Sequence, residues 1–394
     1  MQKPIANRLE GLVQSDIRRM TRECERVKGI NLGQGICDLP TPPLVRDGAV
    51  AAIDARRSTY SHPEGALELR QAIAEKLARD NGLTADPKSE IVVTVGATGA
   101  FTAAIHALLD PGDGILLLEP YYGYHLNAAI LAGLVPQYLR LSPPDFALRE
   151  RELRAALKPS TRAIVICTPA NPSGKMFDRA ELEMLARVAR EKDLLVITDE
   201  IYENIRYDGR PHVPPASIAD LRDRTVTIMG LSKTFSITGW RLGYAFARPE
   251  MAHAMTLVND LFYVCAPTPL QYGAAAGFKA PPSFFTELAD DYARKRDMTC
   301  RALEKSGLAP IWPQGAYYVM AEIGHLGFAS AREAAMALLE EVGVATIPGT
   351  AFYSDAEGER FLRLCFAKED DVLEEACRRI ERFPSRLVRR KSAG

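Results

Sequence analysis

Lys233 and Arg241 stand eight residues apart in GLSKTFSITGWRLGY, residues 230 to 244, among small and apolar neighbours. An amine beside apolar groups loses hydration, which lowers its pKa from about 10.4 and frees a nucleophile. An arginine fork close by suits a phosphate. The same two cations also fit a surface lysine and an unrelated salt-bridged arginine, so the pair needs partners. Upstream, TDEIYENIRY sets Asp199 and Glu200 at the end of an apolar run. An acid at such a strand end is satisfied by a helix N-cap, a salt bridge or a cationic ring nitrogen. CTPANPSGK holds Asn171 between prolines, whose stiffness either aims the amide or makes an ordinary turn. TVGATGA puts small residues between a strand pattern and a helix pattern. Backbone N–H groups cradle anions at such places, and tight turns without any ligand occur there too.

These segments need a frame that gathers them. ALELRQAIAEKLARDNG reads as an amphipathic helix closed by Asn81-Gly82, and EIVVTVG as a strand. GAFTAAIHALLDPGD reads as a helix ended by Pro111-Gly112, followed by the strand GILLLEP. RAIVICTP, the helix DRAELEMLARVAREKD, LLVITDE, TVTIMG and RLGYAFA continue the alternation. Short apolar strands between amphipathic helices predict an α/β fold, with a mostly parallel sheet covered on both faces across residues 46–280. Residues 281–394 differ. A long connecting helix, SFFTELADDYARKRDMTCRALEKSG, leads to YYVMAEI, a helix across AREAAMALLEEVG, VATIPG, FLRLCF and a last helix, DDVLEEACRRIERF. That pattern predicts a smaller α+β domain. Residues 1–45 form an N-terminal segment expected to pack with it, and the cleft between the domains is the expected ligand site.

Several chemistries are excluded by pattern. GxxxxGK[ST] fails around Lys233 because Thr227 and Ser232 occupy its glycine positions, and GxSxG and HExxH are absent. GQG and GATG are not GxGxxG, and six dispersed histidines show no metal-ligand spacing. A net charge of −1 over 394 residues gives no field for nucleic acid or an anionic membrane. There is no apolar run of spanning length and no N-terminal apolar signal core. Seven scattered cysteines without a CxxC pair fit a reducing cytoplasm. The basic end, RRIERFPSRLVRRKSAG, is short and reads as a solvated helix end.

Taken in order, LGQG, Tyr60, GATGA, EPYY, TPANPSG, TDEIYE, SKTFSITGWRLG, GAYY and FLRLCF resemble the class I/II aminotransferases of pyridoxal-phosphate fold type I, from Asn31 to Phe366. Any one motif is weak and the ordered set is specific. The resemblance implies a large cofactor-binding domain, a smaller domain and pyridoxal 5′-phosphate as cofactor. It makes Lys233 the catalytic lysine that forms the cofactor aldimine. It pairs Asp199 with the pyridinium nitrogen, sets Tyr202 and Asn171 on the ring O3′ and stacks Tyr122 on the ring. Backbone N–H groups of Ala97 and Thr98, together with Arg241, would take the phosphate, and Tyr60 would reach it from the other subunit of a homodimer. Arg363 would hold the substrate carboxylate, assisted by Asn171 and the backbone at Gly35. The reaction implied is ping-pong exchange of an amino group between an L-amino acid and a 2-oxo acid. A carbon–sulfur β-lyase on the same fold is the alternative. Tyr124, Tyr263, Tyr317, Tyr318 and Phe352 lie near the expected site loops, which favours neutral or aromatic substrates, and no residue identifies itself as a clamp for a second carboxylate. One departure stands out: Gly230 occupies the position where many members carry a phosphate-binding serine, with Ser232 the nearest hydroxyl.

Overall fold

Seven short strands form the central sheet of the computed structural model, which describes residues 16–383 together with Ala6, Leu9 and Leu12. The basic end from residue 384 onward, and most of the segment before Asp16, lie outside the described residues. Across the sheet the strands run Ile91–Val95, Leu242–Phe246, Thr225–Gly230, Leu195–Asp199, Thr161–Cys167, Gly114–Glu119 and Val135–Arg140. All pairings are parallel except the two made by Leu242–Phe246. The strands Gly114–Glu119 and Thr225–Gly230 are buried at every position, as a sheet covered on both faces requires. Ile73 and Leu77 pack one face against Val93 and Tyr244, while Phe101 and Ile105 pack the other against Ile115, Ile197 and Ile228.

Local signals explain where elements start and stop. Helix Arg179–Glu191 opens on a reciprocal cap between Asp178 and Glu181 and buries Leu182, Leu185 and Val188 on one stripe. Helix Leu67–Asn81 closes on Gly82 in the left-handed region, as Asn81-Gly82 predicts. The helix expected to run to Pro111-Gly112 ends earlier, at Leu108.

A second, four-stranded antiparallel sheet runs Ile347–Pro348, Phe361–Cys365, Tyr318–Glu322, Ala309–Ile311. The predicted strand VATIPG divides at Thr346. Val344–Ala345 pairs in parallel with Ile30–Asn31 of the N-terminal segment, and Ile347–Pro348 pairs with Phe361–Cys365. Cys365 N donates to Leu32 O at 2.6 Å, so the glycine-rich loop that follows Leu32 is fastened to this small sheet. Helix Asp16–Arg26 buries Met20 and Cys24 beneath it, and its Asp16 pairs with Arg332 at 3.1 Å. No described helix is long and apolar enough to cross a membrane.

Candidate active site

Strand Ile91–Val95 passes into helix Gly96–Leu108 with no loop between them. This is possible because Gly96 takes φ +70, in the left-handed region. A Cβ on Gly96 would stand 2.6 Å from Arg241 Nη2, and one on Gly243 would stand 2.5 Å from Ala97 N. The two glycines therefore let the guanidinium and its strand close against the helix start. Ala97 and Thr98 lie in the first turn, whose N–H groups have no intrahelical acceptor and sit at the positive end of the helix. Arg241 is held in a left-handed conformation at φ 56 and donates to Thr238 O at 3.1 Å. Helix terminus and arginine together make an anion cradle, and the buried Ser232 lines the same cavity.

Lys233 emerges from the short helix Leu231–Thr234 that follows strand Thr225–Gly230. Its Nζ donates to Gly35 O at 3.2 Å and lies 5.4 Å from the centre of the Tyr317 ring. Burial pulls the ammonium down to about 8; the Arg241 charge acts in the same direction, while Cys365, Cys37 and Asp199 oppose it. The amine is thus free as a base or nucleophile above about pH 8, well below the ordinary lysine range, in the direction that the apolar surroundings of its motif predict. Asp199, at the end of strand Leu195–Asp199, meets His125 Nε2 at 3.1 Å through Oδ2. The sequence reading missed His125, although its place three residues after Tyr122 was visible; the two rings meet edge-on, 5.2 Å apart.

At the other end Arg363 is 1 % exposed. Its Nη1 donates to Asn171 Oδ1 at 3.1 Å and its Nη2 donates to Gly33 O. Its guanidinium lies 4.4 Å from the Tyr318 ring centre and 4.9 Å from that of Phe352. Nε has no partner among the described residues. A buried cation of this kind is costly unless an anion joins it. Tyr202 donates to Tyr318 Oη at 3.2 Å, and burial pushes both phenols upward, so they stay neutral donors. Gly35 admits no side chain, because a Cβ there would fall 1.9 Å from Tyr318 Oη.

These groups share one hollow. A cavity of about 510 Å³ is lined by Gly35, Ala97, Thr98, Tyr122, Asp199, Ser232, Lys233 and Arg241, with Arg18, Tyr124 and Tyr263 at its wall. It adjoins a smaller one of about 160 Å³ that adds Asn171, Tyr202, Tyr318 and Arg363. Tyr60 is the one expected site residue that lines neither; it is 80 % exposed. Gly230 acquires a steric reason: a Cβ there would stand 2.9 Å from Ile201 Cγ2. The space for a serine at that position is filled by Ile201, whose neighbour two residues back is Asp199.

Anion donors, a free amine, a carboxylate and a distant arginine around one hollow are a donor set for a phosphorylated, cationic ring aldehyde and an amino-acid carboxylate. Comparison with known proteins agrees. The family described as "Aminotransferase class I and II" matches residues 27–380. The chain is 34% identical over 385 residues to aromatic-amino-acid aminotransferase 2 of Thermococcus litoralis, covering 96% of this chain and 97% of that protein. It is 36% identical to an aspartate aminotransferase of Pyrococcus abyssi, with the same coverage. The solved structure of N-succinyldiaminopimelate aminotransferase from Mycobacterium tuberculosis superposes with a TM-score of 0.93 at 34% identity, covering 96% of this chain and 100% of that one. A chain so matched in sequence and backbone belongs to the class I and II aminotransferases and is a pyridoxal 5′-phosphate-dependent transaminase that exchanges amino groups between amino acids and 2-oxo acids.

Proposed function

We propose that the hollow around Lys233 serves neutral or aromatic L-amino acids, with Lys233 as the catalytic base. The observation that carries this is the half-buried Lys233 amine, brought down to about 8, in a cavity walled by Tyr122, Tyr124 and Tyr263. Pyridoxal phosphate supplies the electron sink that weakens the substrate Cα–H bond. The chain's residues fit it. Ala97 and Thr98 N–H, Arg241 and Ser232 would hold the phosphate, Asp199 the ring nitrogen, Asn171 and Tyr202 the ring O3′, and Tyr122 the ring face. His125 would orient the Asp199 carboxylate. Arg363, with Asn171 and the Gly35 backbone, would fix the substrate carboxylate in place. So fixed, the substrate Cα–H bond would face Lys233 Nζ, whose amine would act as general base for that proton and, once protonated, as general acid. The neutral phenols of Tyr202 and Tyr318 keep the wall free of added negative charge.

The division into residues 1–45, a large domain 46–280 and a small domain 281–394 belongs to the same proposal, supported by the separate sheets of the two parts. So does a cytoplasmic homodimer. Tyr60 is exposed, as a residue serving a partner's phosphate site would be in a single chain, and Leu257, Leu261 and Phe262 leave an apolar stripe on helix Pro249–Tyr263. The name of the Thermococcus litoralis relative supports aromatic substrates. The test is to mix the cofactor-loaded chain with a panel of L-amino acids and follow formation of pyridoxamine phosphate. Faster conversion by phenylalanine, tyrosine or methionine than by aspartate is the expected result; the reverse order overturns the substrate reading.

A further inference from the structure

Glu119 ends the sheet strand Gly114–Glu119 and is 2 % exposed, yet nothing in the chemistry around Lys233 uses it. Its Oε1 accepts from Ser354 N at 2.6 Å, and Ser354 lies between Ile347–Pro348 and Phe361–Cys365 of the small sheet. Two residues after Glu119, Tyr121 N donates to Phe352 O at 2.9 Å. Arg140, on the neighbouring edge strand, pairs with Asp355 and brings its Nε to 3.8 Å from Glu119 Oε2. Two adjacent strand ends therefore hold Phe352, Ser354 and Asp355 in turn. The Arg140–Asp355 pair is exposed and screened, whereas the Glu119 acceptor is buried. What this segment carries is Phe352, 1 % exposed, whose ring centre lies 4.9 Å from the Arg363 guanidinium. The Tyr318 ring lies 4.4 Å away, and Arg363 Nε has no partner among the described residues. With one nitrogen unpartnered, the plane of the guanidinium depends in part on the rings against it.

We propose that Glu119 is a positioning residue for the substrate carboxylate site: by holding Ser354 N it sets the Phe352 ring against Arg363, so that the aim of the arginine fork is fixed from the large sheet. The proposal rests on the reading of Arg363 as the group that takes the substrate α-carboxylate, and it deepens that reading. Glu119 touches neither substrate nor cofactor. It acts through an acceptor oxygen, a backbone amide and a ring. Because Ser354 is itself exposed, its amide turns to water when the acceptor is removed, which loosens the segment without leaving a buried donor unpaired. The α-carboxylate is common to every amino acid, so the effect is independent of the substrate side chain.

The experiment measures kcat, KM and the cofactor dissociation constant of the cofactor-loaded wild type, Glu119→Gln, Glu119→Ala, Phe352→Leu and the double variant Glu119→Ala/Phe352→Leu, with phenylalanine and with aspartate. Glu119→Ala should raise KM about fivefold for both amino acids, the size of one net hydrogen bond, with kcat and cofactor binding unchanged. Glu119→Gln keeps an acceptor oxygen for Ser354 N and should restore KM. Phe352→Leu should raise KM, and the double variant should be no worse than the worse single one, because both changes break the same chain of contacts. Additive effects in the double variant, equal loss in the glutamine and alanine variants, a change confined to one amino acid, or cofactor binding weakened along with KM each overturn the proposal. Arg363→Lys tests the underlying reading separately: if it lowers kcat/KM while Glu119→Ala leaves KM at the wild-type value, the Glu119 assignment alone fails.

Discussion

Restoring a serine at Gly230 should destabilise the protein, and Ile201 should be the reason. A Cβ on Gly230 would lie 2.9 Å from Ile201 Cγ2 and 3.2 Å from Ile201 Cβ. Both atoms belong to the stiff branch point of the side chain, so a rotamer change offers little relief. Ile201 N also donates weakly to Asp199 Oδ1 at 3.4 Å, so pushing Ile201 aside disturbs the carboxylate. Overpacking of this kind costs about 1–3 kcal/mol. Ile201→Ala alone loses part of a half-buried side chain, roughly 1–2 kcal/mol by burial arithmetic. In the double variant the serine finds the space the isoleucine vacated, so the combined loss should fall short of the sum by about 1 kcal/mol or more. Urea unfolding of the cofactor-free wild type, both single variants and the double variant closes the cycle. Losses that add to within about 0.5 kcal/mol would show that Ile201 does not exclude a side chain at Gly230, and the steric account would be wrong.

Three further outcomes are expected. Arg363→Lys keeps a charge but loses the fork on a buried carboxylate, so kcat/KM for the amino acid should fall by about 2–4 kcal/mol, or 30- to 1000-fold, with the cofactor dissociation constant little changed; parallel loss of both would move Arg363 out of the substrate site. Below about 8 the Lys233 ammonium carries its proton and cannot attack an aldehyde, whereas above it the amine is neutral. Cofactor capture by the cofactor-free protein should therefore accelerate as pH rises through about 8 and then level off, and a stopped-flow profile flat from pH 6 to pH 10 would contradict this. Asp178→Ala removes one half of the reciprocal cap and should cost about 1 kcal/mol in urea while leaving kcat unchanged. A fall in kcat would mean that the cap reaches the site through Lys175 and Glu181, which lie 2.9 Å apart.

The large sheet was legible because its central strands are continuous apolar runs, and full burial leaves little else for them to be. Val135–Arg140 was harder to see: as an edge strand it alternates exposed and buried positions and begins with a proline at its second residue. VATIPG looked like one strand because composition does not reveal that Thr346 separates two different partners. In the site, Lys233, Asp199, Asn171, Arg241 and Arg363 were readable from motif order, and the structure gathers them around one hollow. His125 and Arg18 were not, since a histidine inside a helix and an arginine among several on a charged helix carry no local mark of what they face. Ile201 was hidden for the same reason: its role is the volume it fills, which no spacing encodes.

The glycine-rich loop has a mechanical consequence. Ile30–Asn31 is stitched to Val344–Ala345, and Gly33 O accepts from Arg363, so this loop travels with the small sheet. Lys233, Asn171, Tyr202 and Ser236 travel with the large one. The bonds between Lys233 and Gly35, Asn171 and Arg363, Tyr202 and Tyr318, and Cys37 and Ser236 therefore act as rivets across a seam. Two of these four rivets involve Lys233 or Arg363, the groups proposed for the proton and for the substrate carboxylate. A ligand that takes up Lys233 Nζ or the Arg363 guanidinium competes with the Gly35 or Asn171 contact, so binding at the site and the fastening of the two sheets draw on the same donors.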